Sequence, residues 1–377
     1  MKSFKIGLPA TLSGRHAIQG RESFRGIKLF IDHVKASGGI KTGGREFLIP
    51  DLVFYDDSSI PEKTRENTLL LIEKDRVDIL LGPYSSSLTL ACVEAAEKAQ
   101  RIVWNYGGSL DDISLQTRGR VVSSITEASS YFHPVVDMIY CHFAEAAKIS
   151  VLRLAGSQFS KTVSEGAMLY AEKLGISASI YDFNSGTRDF SSVLGRIESR
   201  ATSCVLCCGR MQDDINLAIW ISKNFPDSLF MVATLAAAVN EFEKRLGQDA
   251  NGFISTSQWE PTLSLSVNFG PSPKEFSEKF THAYGYIPDY IAAQSYNMGL
   301  IIKKFIQETG GLDEKALWHE ALRSRFTTFY GDFLTDQKTF RQIGHRMLVT
   351  QWQNGEKKIV FPQKYSNSRL TTLKSQV

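Results

Sequence analysis

The sequence predicts an α/β protein of two domains, each built on a central, mostly parallel sheet. Three observations carry this. Short apolar runs alternate with helical stretches of about 10 to 18 residues, the pattern of βαβ units. The alternation supplies about four strands before residue 120 and about four more between residues 149 and 234, which reads as two sheets rather than one. With 377 residues the chain can bury two cores.

Phe4–Leu8 is the first strand, and Pro9–Gly14 a loop. From Gly20 the period becomes helical, with Phe24, Ile27, Phe30, Ile31 and Val34 on one face and Gly38-Gly39 as the stop. Phe47–Tyr55 is a strand ending in Asp56-Asp57, Pro61 opens a helix to about Lys74, and Asp78–Leu81 is the third strand. A helix runs from about Ser87 to Ala99, and Ile102–Trp104 is a strand leading into Asn105–Ser109. Gly119–Glu127 has no helical period and reads as a crossing. Then come a helix over Pro134–Ala147, a strand Ile149–Leu154, a helix Phe159–Leu174, a strand Ser179–Phe183 and a helix from about Asp189 to Arg200. Cys204–Cys208 is a strand, Asp213–Asn224 a helix, Leu229–Ala233 a strand, and Phe253–Thr256 is extended. Helices over Pro273–Tyr284, Tyr290–Thr309 and Asp313–Arg323 precede a β-rich tail at Gly331–Phe333, Arg346–Trp352 and Ile359–Phe361.

Composition is that of an ordinary globular protein: 43% apolar, 22% charged, net charge +3. A charge this small, with no Lys/Arg stripe, gives no argument for nucleic acid. No apolar run reaches membrane-spanning length. The first residues already read as a strand, so the chain is either cytosolic or a mature form whose leader was removed. Five cysteines form no disulfide framework, and the Cys204-x-x-Cys207 spacing falls inside an apolar strand, where it reads as buried thiols.

The organising stretch is Ile79–Leu88, an apolar strand broken by Gly82-Pro83 and followed by Tyr84 and three serines at a helix start. Free backbone N–H groups beside hydroxyls make a mild anion-binding arrangement, although serines also cap helices with no further role. In parallel α/β sheets ligands lie beyond the carboxyl ends of strands. Those positions here are Ser13-Gly14, Asp56-Asp57, Ser85–Ser87, Asn105–Gly107, Ser157–Phe159, Gly209–Met211 and Thr234. Hydroxyls, glycines and aromatics suit holding a small polar molecule better than transforming one. No GxGxxG follows the first strand, neither a P-loop nor GxSxG is present, and the seven histidines form no HExxH. Asp56-Asp57 as a Mg²⁺ site is weaker than its reading as a cap or turn. No cofactor, metal or catalytic residue is expected.

These strand ends, with Ile6–Gly14, Gly20–Gly26, Leu81–Ser86, Thr187–Phe190, Tyr296-Asn297 and Val349–Gly355, resemble the leucine/isoleucine/valine-binding branch of the type I periplasmic solute-binding proteins. The resemblance covers nearly the whole chain. It implies two Rossmann-like domains joined by a three-crossing hinge: residues 1–122 with 255–330, and 123–254 with 331–377. It further implies a periplasmic receptor of an ABC importer, a monomer without enzymatic activity, that closes on an amino acid or related organic acid in the interdomain cleft and presents it to a membrane permease. A cytosolic amide or amino-acid sensor of the same fold, and an enzyme acting on a small organic acid, stand as alternatives.

By carry-over, Ser86 donates its hydroxyl and N–H to a ligand carboxylate, with Ser85 as the alternate in register; Asn105, Tyr106, Gly107 and Ser109 supply the next turn, and Ser13 stands at the first strand end. Tyr131 and Phe159 match the aromatic positions of the second domain, Phe159 replacing a common tyrosine; Arg210 and Thr234 face the same cleft, and Trp259 is placed to stack on an aromatic ring or to lie at the surface. The departure is the missing acid for a ligand ammonium near Thr234–Val239: Glu241, the nearest, falls inside a helix, and Glu127 or Asp213 would have to substitute. An aliphatic amino acid, an aromatic acid and an amide all stay open.

Overall fold

The computed structural model describes residues 2–43, 47–113, 120–143, 147–197, 202–224 and 231–371. The chain divides into two compact units, Met1–Thr126 with Ser264–Arg346 and Glu127–Leu263 with Met347–Val377.

The first unit holds β1 (Lys2–Ala10), α1 (Ala17–Ala36), β2 (Ile40–Lys41), β3 (Phe47–Asp56), α2 (Pro61–Leu69), β4 (Ile79–Leu81), α3 (Ser86–Lys98), β5 (Val103–Asn105) and β6 (Val121–Ser123). The sheet order is β2-β3-β1-β4-β5-β6, parallel except at the two-residue edge strand β2. Pro61 opens α2, and a π-helical turn over Leu70–Lys74 extends it to the end its period predicts. Gly38 and Gly39 end α1 at φ of 82° and 104°, dihedrals that a side chain would resist. The chain leaves β1 for β3 on one side and returns to β4 on the other, so the β1/β4 boundary is a topological switch point.

The second unit repeats the winding with α4 (His133–Phe143), β7 (Lys148–Leu154), α5 (Gln158–Lys173), β8 (Ser177–Phe183), α6 (Ser191–Leu194), β9 (Cys204–Cys208), α7 (Met211–Asn224), β10 (Met231–Thr234), α8 (Asn240–Leu246) and β11 (Ile254–Ser257). Its switch point lies between β7 and β9. The helix expected over Asp189–Arg200 is a single turn at Ser191–Leu194, and residues 198–200 lie outside the described residues. The β9 residues explain why this strand reads as a continuous apolar run. Cys204, Leu206 and Cys208 pack with Val135, Ile139 and Val163, while Val205 and Cys207 pack with Ile215 and Phe242, so both faces are buried. Cys204 and Cys207 thereby enter different core clusters, both buried as free thiols.

The chain then returns to the first unit with α9 (Pro273–Tyr284), α10 (Tyr290–Thr309), α11 (Glu314–Arg323) and the hairpin β12 (Arg325–Thr328)–β13 (Gly331–Leu334). Ser272 and Glu275 close a capping box on α9 ahead of Pro273. Helix α10 runs against α1 at positions where a Cβ on Gly26 would lie 2.2 Å from the Ala292 carbonyl oxygen. Phe326 and Phe333 of the hairpin pack on Phe305 of α10, which puts residues 331–346 with the first unit. The antiparallel hairpin β14 (Leu348–Gln353)–β15 (Glu356–Phe361) extends the second sheet to the order β15-β14-β11-β10-β9-β7-β8. Because β11 pairs with β10 and β14, residues 255–263 group with the second unit.

Candidate functional site

In the first unit the switch point brings the turn after β1 and the turn after β4 to neighbouring strand ends. Ser85 sits at the N-cap of α3 with φ 84° and ψ 145°, a conformation that costs an L-residue strain. It is held there by its N–H donating to the Gly107 carbonyl at 3.2 Å and by its own carbonyl accepting from Thr89 N–H at 2.9 Å. Ser86 is 8% exposed, and its hydroxyl oxygen accepts from the N–H groups of Ser109 (3.1 Å) and Leu110 (3.2 Å). A serine oxygen has two lone pairs and one proton. With both lone pairs engaged, Ser86 has only its proton to offer. Ser109 contributes its backbone to that contact and is itself buried.

Asn105 has a different part from the one expected. Its amide donates to the Gly108 carbonyl at 2.7 Å and the Ser123 hydroxyl at 2.9 Å, while its oxygen accepts from the Gly107 and Gly108 N–H groups. Every polar position of the side chain is used in building the turn. Gly107 is required there, since a Cβ would lie 2.5 Å from the Pro83 oxygen. Tyr106 is fully buried, and burial together with nearby Asp57 pushes its phenol up, so it stays neutral. Tyr84, which sequence reasoning left unassigned, sets its ring edge-on to His16 at 6.3 Å.

Asp56 and Asp57, at the end of β3, brace the turn after β1. Asp56 accepts from Leu12 N–H, Ser13 N–H, the Ser13 hydroxyl (2.6 Å) and Ser58 N–H. Burial opposes its charge, but these donors prevail and hold the carboxyl below its ordinary range. Ser13 is thus tied to Asp56. Asp57 accepts from the Thr11 and Thr64 hydroxyls and Ser59 N–H, and burial pushes it up to about 6. Among the described residues no cluster of three or more His, Cys, Asp or Glu is arranged to hold a metal ion.

In the second unit Phe159 opens α5 beside the β7 end and meets Tyr131 edge-to-face at 5.7 Å. The Tyr131 hydroxyl accepts from the Gln258 amide at 3.1 Å. Gln258, just past β11 and buried, has no sequence signal beyond its place at a strand end. Arg210 follows β9, exposed and without an ion-pair partner among the described residues. Thr234 is fully buried; its hydroxyl oxygen accepts from Ala237 N–H and caps the turn after β10. Trp259 is also fully buried rather than at a surface. At the end of β11 the Ser257 hydroxyl donates to the Trp259 carbonyl at 2.8 Å.

Two of the three acids considered for a ligand ammonium are engaged elsewhere. Asp213 accepts from Ser185 Oγ and Gly186 N–H, and Glu241 lies 3.9 Å from Arg245. Glu127 is half-buried at the start of the second unit. A groove of about 410 Å³ lined by Arg188, Trp220, Lys223 and Arg245, among others, contains none of the candidate ligand residues read from the sequence.

A family model described as periplasmic binding protein matches residues 3–357. Leu/Ile/Val-binding protein homolog 7 of Brucella abortus is 21% identical over 375 residues, 95% of this chain and 91% of that protein. Among solved structures, a leucine binding protein LivK from Thermotoga maritima superimposes with a TM-score of 0.80 at 19% identity, over 94% of this chain and 97% of that one. A solute binding protein of an ABC transporter from R. palustris, in complex with benzoate, does so with a TM-score of 0.76 at 19% identity, over 98% of each chain.

Proposed function

The chain belongs to the periplasmic binding protein family, and from that premise we propose that its ligand is a small organic carboxylate without an ammonium group, engaged by the Ser85–Ser87 turn of the first unit and by Tyr131, Phe159 and Arg210 of the second. The protein is a periplasmic solute-binding component of an ABC importer, a binding protein rather than an enzyme, and works with a small organic ligand and the transporter's membrane component. The observation that carries the finer reading is the Ser86 hydroxyl, whose two lone pairs are taken by Ser109 and Leu110. A hydroxyl left with only a proton to give selects an acceptor, and a carboxylate is the strongest small acceptor. Arg210 adds a cation, and the Tyr131–Phe159 pair offers an apolar wall. The commitments of Asp213 and Glu241 argue against a buried ammonium, which would need an acid of its own. The solute binding protein crystallised with benzoate is in keeping with an aromatic acid.

In this reading the receptor is a monomer, capture starts at the serine turn, and the second-unit residues favour the liganded conformation by their share of the binding energy. Which permease receives the ligand follows from the transporter, not from this chain. The test is calorimetric titration with benzoate, 3,4-dihydroxybenzoate, leucine and isoleucine. An aromatic acid is expected to bind, and Ser86→Ala and Arg210→Ala each to weaken it by roughly 1–3 kcal/mol. Tight binding of leucine that is lost in Glu127→Gln overturns the proposal in favour of an amino acid.

A further inference from the structure

We propose that Asp214 is the positioning residue of the second unit's ligand-binding loops, a buried tie between the loop after β9 that carries Arg210 and the loop after β10 that begins at Thr234. This rests on the reading that those loops meet the ligand. Asp214 is fully buried in the first turns of α7. One carboxylate oxygen accepts from the Cys207 thiol at 3.0 Å and from Gly209 N–H at 2.8 Å. The other accepts from Ala236 N–H at 3.1 Å, in the loop beyond β10. Its own N–H donates to the Arg210 carbonyl at 2.9 Å, so the residue grips the Arg210 loop by backbone and side chain together.

Two further features fit this function. The donors that converge on Asp214 need an acceptor-only group, and an ionised carboxylate is the one side chain that answers all of them without presenting a donor in return. Gly209 is the matching position: a Cβ there would lie 2.3 Å from Asp214 Oδ1, so the tie closes only over a glycine. Neither residue was singled out for this from the sequence, where Asp213 and Asp214 look equivalent. The structure separates them, since Asp213 faces the loop after β8 through Gly186 N–H.

Burial pushes the Asp214 carboxyl up to about 7, against the donors that surround it. The titratable groups around it are Cys207 and Cys208 of β9, both pushed well up by burial, Arg153 of β7, which favours the Cys208 thiolate, and Asp213 on its own helix. A protonated Asp214 would set an O–H where it now accepts, in competition with an N–H of one of the two loops. Binding should therefore weaken as pH falls through about 7.

The experiment uses the full chain, Asp214→Asn and Gly209→Ala, the second displacing the carboxylate without removing its charge. Backbone hydrogen exchange at Gly209 and Ala236 is measured without ligand, and affinity for benzoate and for leucine is measured across pH 5.5–8. The expected result is faster exchange at both amides in each variant. Affinity for whichever probe binds the wild type should fall about tenfold or more, and the pH dependence should vanish in Asp214→Asn. Unchanged exchange, or faster exchange with wild-type affinity and pH profile, overturns the proposal. If neither probe binds the wild type, the failure falls on the carboxylate reading, and exchange at the two loops alone decides whether Asp214 ties them. Should Asp214→Asn fail to fold, Gly209→Ala carries the same comparison.

Discussion

In the first unit the order β3-β1-β4-β5 and in the second the order β8-β7-β9-β10 trace the same winding, yet the chemistry at the two switch points has little in common. The first is finished with serines, glycines and a saturated asparagine, so it presents hydroxyl protons and backbone groups on a stiff turn. The second is finished with an aromatic pair, an exposed arginine and loops tied from behind by a carboxylate. Winding decides where a ligand can be met; the residues in a few turns decide what can be met there. The units also differ in how their loops are anchored. The first relies on side-chain hydrogen bonds, from Asn105 in one turn and to the carboxylates of Asp56 and Asp57 in another. The second has a buried ion pair, Lys357 Nζ at 3.1 Å from Glu260, with Lys357 also donating to the Ala238 carbonyl at 2.6 Å.

That difference can be broken most strongly at Lys357. Lys357→Ala strands the Glu260 charge in an interior where the side chain is 3% exposed, and should cost about 3–5 kcal/mol. Urea unfolding followed by probes in each unit should show the second unit's transition moving and the first unit's staying; movement of both would mean the units do not unfold separately. The counterpart in the first unit is Asn105→Ala, which leaves partners at Gly107, Gly108 and Ser123 unsatisfied and should cost about 2–4 kcal/mol by the same measurement, now in the first unit's transition.

The smallest effect is on pH. Asp57 and Asp214 have folded-state values raised by burial to about 6 and about 7, above the ordinary value near 4. A raised carboxyl binds its proton more tightly in the folded state. Its stabilising contribution is therefore complete below about pH 4 and is lost as pH rises through about 6 in the first unit and about 7 in the second. Unfolding temperatures between pH 4 and 8 should fall by a few degrees across those windows, and Asp57→Asn and Asp214→Asn should each flatten one of them.

Much of the fold was legible because alternation and punctuation are local. Pro61, Gly38-Gly39, Pro273 at the start of its helix, and the helix Tyr290–Thr309 all declare themselves within a few residues. Sheet order was not, since nothing in β1 says that it will lie between β3 and β4. The unit boundaries turn on the same kind of long-range pairing: β11 joins β14, nearly a hundred residues later. At the site, strand-end position pointed to Ser86, Phe159 and Arg210, but not to what their atoms touch. Asn105 looks like a ligand group in sequence and is a strut in the structure, because only the folded turn brings Gly108 and Ser123 to its amide. Lys357 and Glu260 lie 97 residues apart, and no local pattern joins them.

Ser85 has a consequence of its own. It holds a backbone conformation in which glycine is at ease and serine is strained, between the Gly107 carbonyl and the Thr89 N–H that fix it. A single step to glycine would release that strain in the folded chain while giving the unfolded chain more freedom to lose. The turn therefore balances two opposing terms: serine accepts strain in the folded chain, and glycine would trade it for a freer unfolded one.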